Sequence, residues 1–149
     1  MGIEWQIKPF KALSTMELHQ LFLLRSEVFV LEQNCVYQDI DGNDPIALHV
    51  TGTFEGQIVA YCRIFKSGDY FDTASIGRVV VRKIFRDRKW GFDMMREAIA
   101  GVEMYFGETK ITISAQLYLK KFYESLGFIA VGETYLEDDI VHIKMIKYN

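Results

Sequence analysis

The sequence predicts an α/β fold, a mixed sheet carrying helices on its faces. Three observations predict it. Between Ser75 and Phe106 a β-branched run, Ile76 and Val79–Val81, passes through a basic turn into apolar residues at three-and-four spacing: Gly91, Met94, Met95, Ala98, Ile99, Val102 and Phe106. The whole chain alternates strand-like and helix-like periods in the order strand, helix, three strands, helix, strand, helix, two strands. The 149 residues are 50% apolar and 14% aromatic with two prolines, which excludes a disordered chain and suits one dense core, expected as a single domain over residues 1–149.

Taken in order, Glu4–Lys8 alternates weakly and Pro9 closes it, as in a short edge strand. Ser14 then opens a helix: with Glu17 it has capping-box spacing, and Leu13 with Leu18 has the spacing of a hydrophobic staple. The apolar stripe continues through Leu21, Phe22, Val28 and Phe29, but Arg25 and Glu32 fall on the same face. Either they form a partly buried ion pair or rim, or this end of the helix lines a polar cleft. Asn34–Pro45 is a loop by its Asn, Asp, Gly and Pro content. Its acids do not make a calcium loop, because the places such a loop reserves for Gly and for the closing acid, counted from Asp39, hold Asp44 and Val50. They are free to face a cationic substrate or simply to solubilise the chain.

Ala47–Phe54 and Ile58–Phe65 read as an antiparallel pair joined at Glu55-Gly56. After the loop Ser67–Thr73, Ala74–Arg82 completes a meander, and Gly77 within it marks a bulge or a close backbone approach. Beyond the long helix, Lys110–Ala115 is a strand and Gln116–Leu126 a short helix ended by Gly127. Phe128–Tyr135 and Ile140–Ile146 are the last strands, on either side of the acidic turn Glu137-Asp138-Asp139.

The turn before the long helix carries the chemistry. Arg82, Lys83, Arg86, Arg88 and Lys89 stand against Asp87 alone, a local charge of +4 in a chain whose total is −3. Cations at a helix start oppose its macrodipole, at about 0.3–1 kcal/mol each, and an anion would remove the penalty. Unpaired N–H groups of the first turn, Gly91, and flanking Arg and Lys make a phosphate cradle. The plainer reading is a solvated basic turn.

Composition excludes other classes. No apolar run is long enough to span a bilayer, and MGIEWQIKPF lacks a charged start followed by an apolar stretch, so neither membrane nor secretory signal is expected. Gln6 stands where a myristoylation motif at Gly2 wants Ser or Thr. Cys35 and Cys62 lack metal or redox spacing, so no metal site is expected and a reduced, cytoplasmic compartment is. An acidic total with one basic patch argues against nucleic acid and for a small polyanion.

Two blocks resemble the signatures of the GCN5-related N-acetyltransferase (GNAT) superfamily, and the likeness extends over nearly the whole chain. Arg86-Asp87-Arg88-Lys89-Trp90-Gly91 sits where that family has Gln/Arg-x-x-Gly-x-Gly/Ala between strand and helix, with Lys89 in place of the first Gly. AQLYLKKFYESLGF, residues 115–128, is similar to the later block ending in Phe-Tyr-Glu-x-x-Gly-Phe. RSEVFVLEQNCVYQDIDGND at 25–44, IGRVVV at 76–81 and HIKM at 142–145 resemble the ElaA-like group within it.

The resemblance implies a mostly antiparallel sheet of about seven strands flanked by helices and splayed between two parallel central strands. It implies an acetyl-CoA-dependent N-acetyltransferase. In that reading a bulge near Gly77-Arg78 opens the splay, and Val79, Val80 and Val81 pair with the pantetheine arm. The turn Arg86, Asp87, Arg88, Lys89, Trp90, Gly91 and Phe92 holds the coenzyme A diphosphate through N–H groups, and Tyr123 protonates the departing thiolate.

Acyl transfer to an amine needs a neutral amine, a polarised carbonyl and a proton for the leaving sulfur. A Tyr titrating near about 10 stays protonated above a thiol near about 8.5, so Tyr123 suits the last task, although an ordinary core aromatic reads the same from spacing. For the base, Glu32 leads because it interrupts an apolar face. His142 and His49 follow, since a lone His in a strand is commonly a hydrogen-bonded structural residue. Gln116 either binds the cofactor amide or starts a helix. Arg25, Phe29, Glu32 and His49 are expected around the acceptor, a small-molecule or peptide amine attacking directly in a ternary complex. A non-catalytic acyl-CoA-binding regulatory module would share the basic turn and dispense with Tyr123. An exposed sheet edge leaves room for a homodimer.

Overall fold

The computed structural model describes residues 2–149. Its strands are β1 (Glu4–Pro9), β2 (Leu48–Phe54), β3 (Gln57–Phe65), β4 (Ala74–Val81), β5 (Ile111–Gln116), β6 (Ile129–Glu137) and β7 (Ile140–Lys147). They form one sheet in the order β1-β2-β3-β4-β5-β7-β6, in which β4 and β5 are parallel and every other pair is antiparallel. The helices are α1 (Thr15–Arg25), α2 (Trp90–Phe106) and α3 (Lys120–Glu124). This is the mixed, splayed sheet that the resemblance implied.

Local chemistry explains the element ends. Ser14 Oγ accepts the Glu17 N–H at 3.0 Å while the Glu17 carboxylate accepts the Ser14 N–H at 2.8 Å, closing the capping box. The β2–β3 turn places Glu55 and Gly56 at φ 51° and 79°, the paired positive values of a tight hairpin turn. Two expectations shift. The first helix does not run on regularly to Glu32: after Arg25 it widens into π-type turns over Ser26–Glu32. Gln116 ends β5 rather than starting a helix, and the segment after it breaks into a 3₁₀ turn, Leu117–Leu119, before α3.

Register divides the sheet into two unlike faces, because residues directly opposite across a pair point the same way. Val50, Cys62, Ile64, Ile76, Ile111, Ile113, Ile143 and Met145 share one face and pack on Met94, Met95, Ala98 and Val102 of α2, with Tyr123 and Phe128 at the edge of the same core. The other face carries His49, Thr51, Tyr61, Arg63, Ser75, Thr112, Ser114, Gln116 and His142. There α1 and the widened turns after it cover only the β3 side, through Leu21, Leu24 and Val28 against Ile58, Tyr61 and Val80. The polar floor beyond it stays open.

The opening has a covalent origin. Tyr61 pairs with Val80 and Arg63 with Gly77, so Cys62 alone opposes both Arg78 and Val79, and Arg78 takes φ +52°. This is the expected bulge. On the other side β4 meets β5 only through Ala74 with Ile111 and Ser75 with Thr112, after which no rung joins them. The two strands part toward their C-terminal ends.

Candidate active site

A cleft of about 400 Å³ fills the gap between β4 and β5. Its walls are Val79, Val80 and Val81 from β4, Ser114 and Gln116 from β5, Phe29 and Glu32 from the widened end of the first helix, Tyr123 from α3, and Glu137 and His142 from the last hairpin. Tyr123, Glu32 and His142 all line this one space.

At its outer end α2 begins without a side-chain cap, and Lys89, at the cap position, sits in the left-handed region at φ 60°, ψ 20°. That is the conformation the missing Gly would adopt freely, so the Lys substitution stores backbone strain there. The first-turn N–H groups of α2 have no intrahelical acceptor and remain available to an anion. A Cβ on Gly91 would come 3.7 Å from Val81 and 3.8 Å from Phe122, room for a methyl in the protein itself but inside the cleft. Together with the unpaired backbone of β4, these features fit a diphosphate followed by an amide-bearing chain.

Arg86 Nε donates to the Val81 carbonyl at 3.0 Å, and its two terminal nitrogens grip the Glu32 carboxylate at 2.5 and 2.9 Å. Gly91 and Gln116 also line the cleft, the latter exchanging long side-chain hydrogen bonds with Gln33 at 3.3 and 3.4 Å. Asp87, Arg88, Lys89, Trp90 and Phe92 do not present side chains to it. Arg88 instead lies 5.0–5.2 Å over the rings of Phe54, Phe85 and Trp90, and Trp90 is buried in that cluster. Any contact those residues make with the cleft is through backbone.

Tyr123 is 5% exposed, edge-on to Phe122 and Phe128, and burial pushes its phenol well above the ordinary tyrosine range. It holds its proton. His142 Nδ1 donates to the Ile140 carbonyl at 2.7 Å, which turns Nε2 toward the Glu137 carboxylate 3.5 Å away. Cys35 also lines the cleft, but desolvation and the carboxylates of Asp138 and Asp139 raise its thiol, which donates to the Asp138 carbonyl at 3.2 Å.

Two expected substrate contacts lie elsewhere. Arg25 is wholly buried, with Nε 2.9 Å from Asp39 and a terminal nitrogen 2.7 Å from Asp44. It serves the fold and does not reach the acceptor. His49 is equally buried: its Nε2 donates to the Asp44 carbonyl at 2.9 Å and its Nδ1 accepts the Tyr61 hydroxyl at 2.6 Å. Desolvation, outweighing the neighbouring Asp44, pulls its pKa down and keeps it neutral, a structural histidine rather than a base. The acids of the Asn34–Pro45 loop are likewise spent: Asp39, Asp41 and Asp44 pair with Arg25, Arg63 and Arg78, three anions against three cations. They do not face a cationic substrate.

Sequence reasoning missed Arg63 and Ser75, both 1% exposed and both lining the cleft. The available signal was the charge inside the apolar strand Tyr61-Cys62-Arg63-Ile64-Phe65.

Comparisons with known proteins agree with this geometry. Residues 13–149 match the family described as "Acetyltransferase (GNAT) domain". The chain is 42% identical over 147 residues to protein ElaA of Escherichia coli K12, covering 97% of this chain and 96% of that protein. Its structure is similar to the crystal structure of E. coli ElaA, with a TM-score of 0.90, 41% identity and 97% and 99% of the two chains covered. It is also similar to an acyl-CoA N-acyltransferase from Pseudomonas aeruginosa, with a TM-score of 0.91, 38% identity and 98% and 99% coverage. An aminoglycoside 6'-N-acetyltransferase complexed with coenzyme A shares the fold alone, at a TM-score of 0.71 and 17% identity over 95% and 96% of the chains.

Proposed function

Because this chain belongs to the GNAT acetyltransferase family and is an acyltransferase, we propose that it moves an acetyl group from acetyl-CoA to a primary amine by direct attack in a ternary complex. The observation that carries this reading is that the protonated Tyr123 phenol, the unpaired edge of β4 and the His142 ring line one cleft. Acetyl-CoA supplies the activated acyl group and a thiolate leaving group.

The protein's residues divide the work. Backbone groups of Val79, Val80 and Val81 receive the pantetheine arm as an added strand would, and the first-turn N–H groups of α2, with Arg86, hold the diphosphate. Gln116 is placed to bind a cofactor amide. Phe29 forms part of the acceptor wall.

His142 is the better base. Its Nδ1–H is fixed on the Ile140 carbonyl, so Nε2 is the nitrogen that can take the amine proton, and Glu137 stabilises the imidazolium so formed. Glu32 has both oxygens on Arg86. Tyr123 then gives its proton to the departing sulfur. A cysteine acyl-enzyme is disfavoured: Cys62 is fully buried with its thiol pushed up by desolvation, and the Cys35 thiol is raised as well.

All seven strands join one sheet, which supports reading residues 1–149 as a single domain. Two free cysteines suit a reduced, cytoplasmic setting. No helix among the described residues is long and apolar enough to cross a membrane. The exposed β6 edge, with Ile129 and Leu136 outward, suits a homodimer, which light scattering would test.

Thiol release from acetyl-CoA against an amine library tests the function. Turnover without prior transfer of labelled acetyl to the protein is the expected result. Coenzyme A binding with no turnover on any amine would favour a regulatory module instead.

A further inference from the structure

One wall of the cleft is built from β5, β7 and β6, neighbours in the sheet in that order. Gln116 and Tyr135 both stand opposite His142, so the three side chains leave the sheet on one face, and Ser114 and Glu137, each two residues along its strand, share that face. Ser114 is on β5 and Tyr135 on β6, with β7 running between them. The phenol crosses that gap: its ring stacks on the His142 ring at 6.1 Å, and its hydroxyl lies 2.5 Å from Ser114 Oγ. Glu137 comes back toward β5 as well, on a strand that carries two extra residues between the Val131–Lys144 and Tyr135–His142 rungs and is bent by them.

Donor and acceptor capacities give these contacts a direction. The Glu137 carboxylate can only accept, so the Ser114 hydroxyl directs its one proton to Oε1, at 3.1 Å. The Tyr135 O–H must then donate to Ser114 Oγ. Partial burial and the charge of Glu137 raise the phenol above its ordinary range, so it keeps the proton it donates. The series ends at the second carboxylate oxygen, Oε2, which stands 3.5 Å from His142 Nε2.

Glu137 needs this hold. It is half exposed at the end of β6, next to Asp138 and Asp139 in their positive-φ turn, and among the described residues no lysine or arginine pairs with it. A glutamate turning freely in water gives little to a neighbouring ring. Fixed through Oε1, it presents Oε2 to Nε2, and a contact that is loose in the free protein tightens once the ring is charged.

Resting on the reading of His142 as the base, we propose that Ser114 is a positioning residue: with Tyr135 behind it, its hydroxyl holds Glu137 against His142 Nε2, where the carboxylate meets the imidazolium. In that step the Nε2 lone pair takes the amine proton, and the amine keeps the electron pair with which it attacks the thioester carbon. Ser114 acts on the reaction through Glu137 alone.

A double-mutant cycle on thiol release from acetyl-CoA, with the most active amine of the library, tests this. Ser114→Ala should lower kcat about tenfold, the scale of one hydrogen bond to a charged group, and leave KM for the amine and the coenzyme A dissociation constant within about twofold. Glu137→Ala should lower kcat at least as much, and adding Ser114→Ala to it should change kcat by less than about twofold. Ser114→Thr keeps the hydroxyl and suits a strand, so kcat should stay within about threefold of the native value. Losses that multiply in the double variant, or a loss confined to KM, would overturn the role, because the serine would then act on the substrate directly. An unchanged kcat in Ser114→Ala beside an inactive His142→Gln would overturn it too.

A crystal structure of Ser114→Ala separates the hold on Glu137 from the choice of base. The carboxylate should swing out of ion-pair range, beyond about 4 Å from Nε2. A carboxylate that keeps its place would overturn the positioning role whatever the kinetics, and the same structure decides the matter if no amine turns over. A carboxylate that swings out while Ser114→Ala and His142→Gln both stay fully active would uphold the hold and remove His142 as the base.

Discussion

Glu32 and Arg86 hold each other by a two-pronged ion pair, 2.5 and 2.9 Å, across the mouth of the cleft, one from the widened end of the first helix and the other from the turn before α2. The carboxylate therefore occupies the arginine best placed to meet a diphosphate.

The pair sets a direct contest between two roles for Glu32. If it competes with the ligand for Arg86, Glu32→Gln tightens coenzyme A by up to about fivefold, the scale of a partly exposed ion pair, and leaves kcat within about threefold. His142→Gln instead lowers kcat by about a hundredfold or more. Calorimetry and steady-state kinetics on both variants check this; a collapse of kcat in Glu32→Gln with His142→Gln active would restore Glu32 as the base.

Tyr123→Phe removes one hydroxyl from a ring already packed between Phe122 and Phe128, so the fold persists. Turnover should fall about a hundredfold or more while the coenzyme A dissociation constant stays within about twofold. A loss confined to affinity would refute the acid role.

Lys89→Gly should stabilise the protein. A non-glycine residue at φ 60° carries about 1–2 kcal/mol of strain, part of which is offset by the greater freedom of Gly in the unfolded chain. A net gain near about 1 kcal/mol corresponds to a melting temperature higher by about 2–4 °C in a chain of this size. Thermal unfolding decides it, and a lower melting temperature would show that the lysine side chain does more than occupy the cap.

Asp41 makes stability acid-sensitive. Burial opposes its ionisation, but hydrogen bonds from Arg63 and the Asn43 N–H, and the charges of Arg63 and Arg78, prevail and hold its carboxyl well below the usual carboxylate range. A carboxyl depressed on folding contributes stability that is complete above its unfolded pKa, about 3.9, and is lost as pH falls from there toward its folded value. Melting temperature against pH should drop below about pH 4 in the native chain, and Asp41→Asn should start lower and show a shallower acid slope.

What could be read in the sequence was what local rules encode. Gly77 inside a β-branched run announced the bulge, although the residue that takes the positive φ is Arg78. Lys89 stands in the motif's glycine position, and there the backbone takes the left-handed conformation a glycine would adopt freely. An ion pair was one reading of Arg25, but its partners were hidden, because Asp39 and Asp44 stand 14 and 19 residues away and only the folded loop brings them together. The same holds for His49, whose partner Tyr61 lies across a strand pair. Ser75 and Arg63 were invisible as neighbours on one face, since the register that puts them there, Arg63 opposite Gly77 and Phe65 opposite Ser75, is set by the sheet and not by either strand alone.

The bulge at Arg78 has a consequence for how the enzyme tolerates change. Removing that one residue would let the strand mend, with Val79 alone opposite Cys62, Val80 still opposite Tyr61 and every later side chain on its present face, and the extra length that bends β4 at the splay would be gone. Point substitutions nearby alter single contacts, whereas a one-codon deletion here would straighten the edge that borders the gap while leaving each lining residue on its face, so length in this segment is under tighter constraint than identity.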